Sequence, residues 1–313
     1  MKNLIFILFL TNTVNIFGKN ISDSLQIPKI TENHFLLDDC DACGCSAGGA
    51  SSGFESILNP QFIGIKHLNQ HYKSKIYQFE SEPTHSERYN TLQLWARIPV
   101  WKKLEIYASI PYHFHEKEGN PKQKINGIGD ISVMAIYQIL NTEKIKNQKL
   151  HFGLGMKIPI GKFNEAYASS FNPSFQLGTG SWDYSAIVNY TFFKNNFAAQ
   201  VTTDYTFKNQ NDKYYRFGDQ WNSQLNLYYI LNYNNWKLSP KIGIQYEKYF
   251  ENVQLGDLVH NTGGYTILGK VGLEASFKKI NIGAEFQNPF VSKLNNNMVE
   301  IISRNSLYIN FNF

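Results

Sequence analysis

Long segments in which apolar and polar residues alternate constrain the fold of this chain more than any other feature of its sequence. Residues 150–160 place six apolar side chains at even positions, and residues 221–233 largely repeat the pattern at odd positions. A period of two is that of a β-strand, whose successive side chains point to opposite faces. Helical spacing is absent, so the chain is predicted to be all-β. Further alternating segments are 104–110, 131–139, 197–207, 236–246 and 265–277.

The length and the missing charges of these segments indicate which kind of β protein they build. Strands of soluble sandwiches average ~5–6 residues, whereas a tilted membrane-spanning strand needs ~9–11. The apolar faces carry no charge, as expected where a Lys or Arg at the bilayer midplane costs about 2–4 kcal/mol. Aromatic residues also lie near the strand ends, as in the interfacial girdles of membrane barrels. These are Trp101, Tyr112, Trp182, Tyr190, Trp221, Tyr233, Trp236 and Tyr246.

The composition fits a barrel although the mean hydropathy of −0.35 suggests a soluble secreted protein. In a barrel the lipid-facing and lumen-facing residues alternate, so their hydropathies cancel in any sliding window. The net charge of +5 includes no basic block, and nucleic acid is therefore not expected as a partner.

The amino terminus has the pattern of a secretory signal peptide. Met1-Lys2-Asn3 precedes an apolar run at 4–10, and cleavage is plausible near Gly18. The run is far shorter than the ~20 residues that a spanning helix needs. We therefore predict a signal peptide at 1–18, a Cys-, Gly- and Ser-rich segment at 19–60 that is periplasmic or plugs the lumen, and a barrel at 61–313.

Short and long connections alternate along the chain, as periplasmic turns and extracellular loops do in an up-and-down antiparallel barrel. They predict about twelve strands with both termini in the periplasm. A hairpin at Gly178–Ser181 would give fourteen strands and would reverse every later turn, so we interpret this segment as the descent from a long loop. The predicted short links are 99–103, 193–196, 233–235, 278–279 and a longer one at 141–148. The predicted long links are 75–87, 114–126, 161–179, 209–218, 250–263 and 289–302.

The last seven residues, Leu307–Phe313, alternate strictly and end on an aromatic side chain. They resemble the closing strand of bacterial outer-membrane barrels. This resemblance implies that Phe313 is read by the barrel-insertion machinery, and that the partners of the chain include this machinery and the outer-membrane bilayer.

Four short motifs resemble the outer-membrane transporter family named for the meta-pathway of phenol degradation. They are Gly127–Ile131, Ile158–Gly161, Leu177–Asp183 and Phe217–Asp219. The resemblance extends from about residue 90 to 275. It implies passage of small solutes, including hydrophobic or aromatic compounds, and it supplies no catalytic residue.

The three cysteines of the chain lie together in an acidic segment at 38–46. Cys40, Cys43 and Cys45 form a C-x-x-C-x-C pattern that brings three sulfurs within reach of one Cu(I) or Zn(II) ion. In an oxidising compartment two of them could instead form a disulfide and leave one free. A third reading is that the cluster marks a plug inside the barrel.

Histidines and charged residues are predicted to face the lumen. His113 and His115 share the lumen parity of their strand and could serve as weak metal ligands or as solvated rim residues. The register of the first strand is open because Lys66 and His67 compete for the lumen. The mixed charges could line a polar pathway, or pair across a narrow barrel. The predicted lumen-lining residues are Arg97, Glu105, Asp130, Lys157, Asp183, Asp204, Lys241, Glu247, Lys270, Glu274, Glu285 and Arg304.

The sequence thus predicts a twelve-stranded outer-membrane channel or transporter for small solutes. Uptake or handling of copper or zinc through the cysteine cluster is an alternative, and a structural or adhesin barrel is another. An enzyme is not expected, since no serine lies in a G-x-S-x-G context and no Ser/His/acid set can be placed on one wall.

Overall fold

The computed structural model describes residues 53–75, 84–118, 122–140, 147–164 and 175–313. All of them belong to one compact unit, Leu37–Phe313. The predicted signal peptide and the three cysteines lie outside the described residues, and the predicted N-terminal segment is described from Gly53 onward.

The described residues form β-strands joined by turns and loops, with short 3₁₀ turns at 53–54 and Asn295–Asn297. No helix among them is long and apolar enough to cross a membrane. The strands are β1 (Phe62–Lys75), β2 (Thr84–Trp101), β3 (Leu104–Lys117), β4 (Gln123–Ile128), β5 (Ile131–Leu140), β6 (Gln148–Ile158), β7 (Asp183–Lys194), β8 (Phe197–Phe207), β9 (Tyr215–Arg216), β10 (Gln220–Tyr229), β11 (Leu231–Tyr233), β12 (Trp236–Tyr249), β13 (Asn252–Gln254), β14 (Asp257–Val259), β15 (Gly264–Phe277), β16 (Ile280–Leu294) and β17 (Val299–Asn312).

A closed antiparallel barrel of twelve staves contains all but three of these strands. β4 and β5 pair with β3 one after the other and form one interrupted stave, as β10 and β11 do on β12. β1 pairs with β17 and closes the barrel, with Phe62 opposite Asn312. The predicted all-β, up-and-down barrel of twelve strands is therefore confirmed, and the fourteen-stranded alternative is not observed.

The two faces of the barrel wall differ as the alternation predicts. Leu94 and Ile242 are 53% and 60% exposed on the outside, whereas their neighbours Gln93 and Lys241 are buried inside. The outer surface is a band of apolar and aromatic side chains, and the interior is largely polar and charged. This inversion of the usual protein core fits a wall surrounded by lipid.

One end of the barrel, here called the short-turn end, carries tight hairpins. The links at 102–103, 195–196, 234–235 and 278–279 have two residues each, and Asn195, Asn234 and Lys278 have φ between +51° and +53°. The left-handed conformation at the first link residue suits the last three of these hairpins, and Asn tolerates it well. The predicted short links are confirmed, and the longer one spans 141–147.

The opposite end, here called the long-loop end, differs in part from the prediction. The links at 114–126 and 289–302 were predicted too long, since β3 continues to Lys117, β4 begins at Gln123, and only 295–298 separate β16 from β17. Where both faces of a strand end are exposed to water, neither face needs apolar residues. The sequence there lacks the alternation and resembles that of a loop. A small sheet of β9, β13 and β14 lies in two of the loops. The segment Gly178–Ser181 belongs to the long loop 159–182, as predicted, and is not a hairpin.

Candidate functional site

Asp130, which lies between β4 and β5, anchors the loop 159–182 to the barrel wall. The carboxylate of Asp130 accepts hydrogen bonds from the backbone N–H groups of Gly161 and Thr179, each at 2.9 Å. Lys157 pairs with Asp130 at 3.2 Å and with Asp183 at 2.5 Å. Three of the four family-like motifs therefore meet at one buried ion cluster at the top of the lumen.

Glycines make this close approach possible. A Cβ added at Gly178 would lie 2.4 Å from the Asp130 carboxylate and 2.7 Å from the Cα of Gly161. A Cβ added at Gly161 would lie 2.8 Å from the Cα of Gly178. Real Cβ atoms do not come this near to backbone, so both positions need glycine for the loop to fold against β5.

Residues Gly53–Gln61, here called the plug segment, lie inside the barrel at its short-turn end. Phe54 is 2% exposed, and its ring packs under the Arg97 guanidinium at 4.5 Å. Arg97 also donates to the carbonyl oxygen of Gly53 at 3.0 Å and pairs with Glu105 at 2.5 Å. Arg97 thus holds the start of the segment on the β2 side of the lumen.

Glu274 on β15 holds the same segment from the other side. Its carboxylate accepts the hydroxyl of Ser56 at 2.5 Å and the N–H groups of Ile57 at 3.0 Å and Leu58 at 3.4 Å. Three donors of the plug segment therefore converge on this one carboxylate. Asn59 donates to Ser276 at 2.8 Å, which extends the attachment along β15.

Lys66 and Glu55 add an ion pair of 2.5 Å between the first strand and the plug segment. Lys66 is 3% exposed, whereas His67 points outward, so the open register of the first strand is resolved in favour of lysine. The signal that could have resolved it is the pair Ile63 and Ile65, which share the outward parity of His67.

Higher in the lumen, charges on different strands of the wall pair with one another. Glu285 lies between Lys241 and Lys270, whose ammonium groups both contact it. Arg304 bonds to Glu247 at 2.6 Å and to the hydroxyl oxygen of Tyr72 at 2.9 Å. Of the two arrangements left open by the sequence, the structure therefore shows charges that pair with one another.

A small cavity lies beside the Asp130 cluster. A cavity of about 70 Å³ borders Gln93, His113, Asp130 and Lys157. A single water needs roughly 10–15 Å³ of such space, so this cavity holds only a few waters.

All the lumen-lining candidates lie on the inner side of the wall, and their part in a solute pathway stays a prediction. Glu105 and Lys157 keep some exposure, at 14% and 17% of their side chains. The others are buried: Arg97, Asp130, Asp183, Asp204, Lys241, Glu247, Lys270, Glu274, Glu285 and Arg304.

His113 and His115 lie side by side on the inner face of β3, with ring centroids 4.7 Å apart. His113 shares a hydrogen bond with the Thr91 hydroxyl at 2.9 Å, and His115 packs on Tyr89. Within the described ranges no group of three or more His, Cys, Asp or Glu residues is arranged to hold a metal ion. The cysteines lie outside those ranges, so copper or zinc binding stays a prediction.

The plug contacts of Phe54, Glu55 and Ser56 were not foreseen individually. The sequence marked the region only as a candidate plug, since nothing in a short irregular segment shows which strand will receive it. Its partners Arg97, Glu105 and Glu274 were all predicted to face the lumen.

Solved structures with a similar fold are membrane β-barrels. An outer membrane channel from Pseudomonas putida F1 matches with a TM-score of 0.62 and 17% identity, over 81% of this chain and 95% of that chain. The β domain of the Bordetella autotransporter BrkA matches at 0.49 and 8% identity, over 81% and 100%. The CymD monoaromatic hydrocarbon channel matches at 0.41 and 8%, over 85% and 93%. At such identities the first likeness shows the barrel fold alone, and the other two carry no argument.

No curated protein matches the chain. A family model does match, over residues 99–287, and its description reads "Putative MetA-pathway of phenol degradation". The matched region contains the Asp130 cluster and all four glycine-rich motifs, and it covers more than half of the 313 residues. The chain belongs to this phenol-degradation family.

Proposed function

We propose that this protein is an outer-membrane channel for small solutes, hydrophobic or aromatic ones included, and that the plug segment gates it. The short-turn end and both termini would face the periplasm, and the long loops would face outward, which is the usual arrangement of such barrels. Phe313 would be the signal for the barrel-insertion machinery. The role is passage and not catalysis.

The single observation that carries the proposal is how the plug segment is held. A barrel that only anchors or adheres can fill its interior with permanent side-chain packing. Here residues 53–61, the described part of this segment, have no strand structure and occupy the floor of the lumen through hydrogen bonds and ion pairs to Arg97, Glu274 and Lys66. Such polar contacts can be exchanged for water when the segment leaves.

The upper lumen offers surfaces that suit an apolar solute. Tyr72, Tyr89, Leu268 and Ile301 form a buried cluster inside the long-loop end. The Tyr89 hydroxyl donates to Glu87 at 2.8 Å, which satisfies its polar end. An aromatic compound that entered here would meet ring faces first and the charged layer afterwards.

A reversible crosslink tests the gate. Asn59 and Ser276 lie in direct contact, so Asn59→Cys with Ser276→Cys, made in a background with Cys40, Cys43 and Cys45 changed to Ser, joins the plug segment to β15 when oxidised. We expect low solute flux into proteoliposomes in the oxidised state and higher flux after reduction.

The two single-cysteine variants are the controls and should not respond to reductant. Equal flux in both redox states of the double variant would contradict a mobile plug. Proteoliposomes no more permeable than protein-free vesicles to small sugars and to benzenesulfonate, an aromatic anion that lipid excludes, in both states would instead indicate a structural barrel.

A further inference from the structure

Polar side chains interrupt the apolar outer face of the barrel beside the β1–β17 seam. Asn305, Asn69 and Asn90 lie opposite one another on β17, β1 and β2, and form one row across the wall. The alternation of buried and less buried positions places all three on the outer side. His67 and His71 also point outward from β1, on either side of Asn69 along the strand. These five residues are here called the seam patch.

The asparagine row lies within the apolar band and not above it. Phe286 on β16 lies opposite Asn305 at one end of the row, and Phe114 on β3 lies opposite Asn90 at the other. Each ring is 45% exposed on the outer face. Hydrogen-bonded rows run perpendicular to the strands, which tilt steadily around a barrel. The asparagines therefore lie at heights between two lipid-facing rings.

A second polar pair on the outer face shows how such groups are usually satisfied. Thr203 and Ser223 lie opposite each other on β8 and β10 and share a hydrogen bond at 2.8 Å. In the seam patch Asn69 donates to Asn90 at 2.7 Å, while Asn305 makes no side-chain hydrogen bond within the described residues. Amide groups without partners are costly in hydrocarbon, and polar side chains there promote association with another protein surface. The row thus favours a partner that brings donors and acceptors into the bilayer.

The seam patch is complementary to a second copy of itself. An amide both donates and accepts, and the five residues include no Asp, Glu, Lys or Arg, so two copies can face each other without repulsion between ionised acids or lysines. The patch is cross-shaped: His67, Asn69 and His71 form an arm along β1, perpendicular to the asparagine row.

The tilt of the strands makes this cross fit its own two-fold copy. Barrel strands tilt by about 35–45° from the barrel axis, so the β1 arm and the asparagine row lean in opposite directions by similar angles. A two-fold axis along the membrane normal through Asn69 reverses the lean of the facing copy. It therefore brings the β1 arm of one copy nearly parallel to the asparagine row of the other.

We propose that the seam patch is a dimer interface within the membrane, at which two copies of this chain meet around a two-fold axis near Asn69. Asn305 and Asn90 of one copy then find hydrogen-bond partners in His67 and His71 of the other. Two-fold pairs in which both subunits use the same surface are the commonest oligomers. The inference needs only the barrel and the bilayer around it, and it is independent of solute passage.

Disulfide crosslinking in proteoliposomes tests the position of the axis. In the background with Cys40, Cys43 and Cys45 changed to Ser, Asn69→Cys should form a covalent dimer on oxidation. Ile242→Cys is the control, because Ile242 is 60% exposed on the outer face of β12, away from the seam. It should stay monomeric. Equal crosslinking at both positions would reflect random collision and would overturn the proposal.

Energy transfer between donor-labelled and acceptor-labelled full-length protein in liposomes measures the association itself. The label is attached at Asp257→Cys on the exposed β14, in the same cysteine-free background. Asn69→Leu with Asn305→Leu removes the polar groups and should weaken association roughly ten- to hundredfold, since each amide is lost from both copies. Thr203→Val with Ser223→Ala removes the other polar pair and should leave association unchanged.

Leucine suits a lipid-facing position, so the double leucine variant should fold, and heat-modifiable migration on gels checks this. If the protein with an intact seam patch shows no energy transfer at any lipid-to-protein ratio, the dimer is wrong and the patch faces lipid headgroups instead. Energy transfer that persists at the same level in the double leucine variant would also overturn the proposal, because the interface would then lie on another face.

Discussion

The carboxylate of Glu274 accepts a 2.5 Å hydrogen bond from the hydroxyl of Ser56, a residue 218 positions earlier in the chain. Glu274→Gln keeps the size of the side chain and removes its charge, which weakens the three bonds to the plug segment. We expect a loss of about 1–2 kcal/mol, or roughly five- to thirtyfold more time with the plug displaced. Open probability in planar bilayers measures it.

The control for this change is Asp204→Asn, another buried carboxylate converted to an amide. Asp204 bonds to Asn222 on β10 and does not touch the plug segment in the described structure. If both variants opened equally often, the proposal that Glu274 holds the plug segment in place would be wrong.

A second prediction concerns the glycine contact at the Asp130 cluster. Gly178→Val forces a side chain against Asp130 and Gly161, and overpacking of this kind costs about 1–3 kcal/mol. The loop 159–182 should detach more often, so trypsin should cleave after Lys162 roughly ten- to hundredfold faster. The barrel itself should remain heat-modifiable on gels.

Gly256→Asn provides the comparison, because a Cβ there has no neighbour within 4 Å and Asn tolerates its φ of +95° better than most residues. Cleavage after Lys162 should stay at the wild-type rate in this variant. If the cleavage rate after Lys162 were also unchanged in Gly178→Val, the Asp130 cluster would not be what holds the loop.

A third prediction tests the lipid-facing wall. Leu94 is exposed in the apolar band of β2, so Leu94→Arg should destabilise the barrel by about 2–4 kcal/mol in lipid vesicles. Thr84→Arg, at the exposed end of the same strand, should cost about 0–1 kcal/mol. Reversible guanidinium unfolding gives both values, and equal costs would argue against a bilayer around this face.

A fourth prediction concerns the cysteines. Protein purified under reducing conditions should carry Cu(I) or Zn(II) measurable by mass spectrometry of the metal, and the variant with Cys40, Cys43 and Cys45 changed to Ser should lose it. If wild-type protein carries neither metal, and free-thiol counting on protein purified without reductant finds one thiol, a disulfide is the correct reading.

Alternation predicted the barrel well because lipid imposes it directly. Leu94 and Ile242 face outward, as their positions in the alternation require. A charged side chain on this lipid-facing side would destabilise the barrel. Beyond the membrane both faces of a strand are in water, so the alternation is lost. The last residues of β3, up to Lys117, and of β16, up to Leu294, were therefore predicted as loops.

The site was predictable only in part. Parity placed Glu274, Arg97 and Asp130 inside, but it could not pair them, because a partner is set by register and by irregular segments. Ser56 reaches Glu274 through a segment with no periodicity, and Gly161 meets Gly178 across a loop. Contacts of this kind form only when distant segments of the chain meet in the folded barrel. The alternation within one segment does not show which other segment it will meet.

The plug segment bonds to β15 through Glu274 and to β2 through Arg97, strands that lie on opposite sides of the β1–β17 seam. Both the seam and the plug therefore depend on residues made late in synthesis. A barrel that lacks β15 to β17 has neither the β1–β17 seam nor the Glu274 attachment. We therefore expect the plug segment to be fixed on both sides only once the last strands are in place.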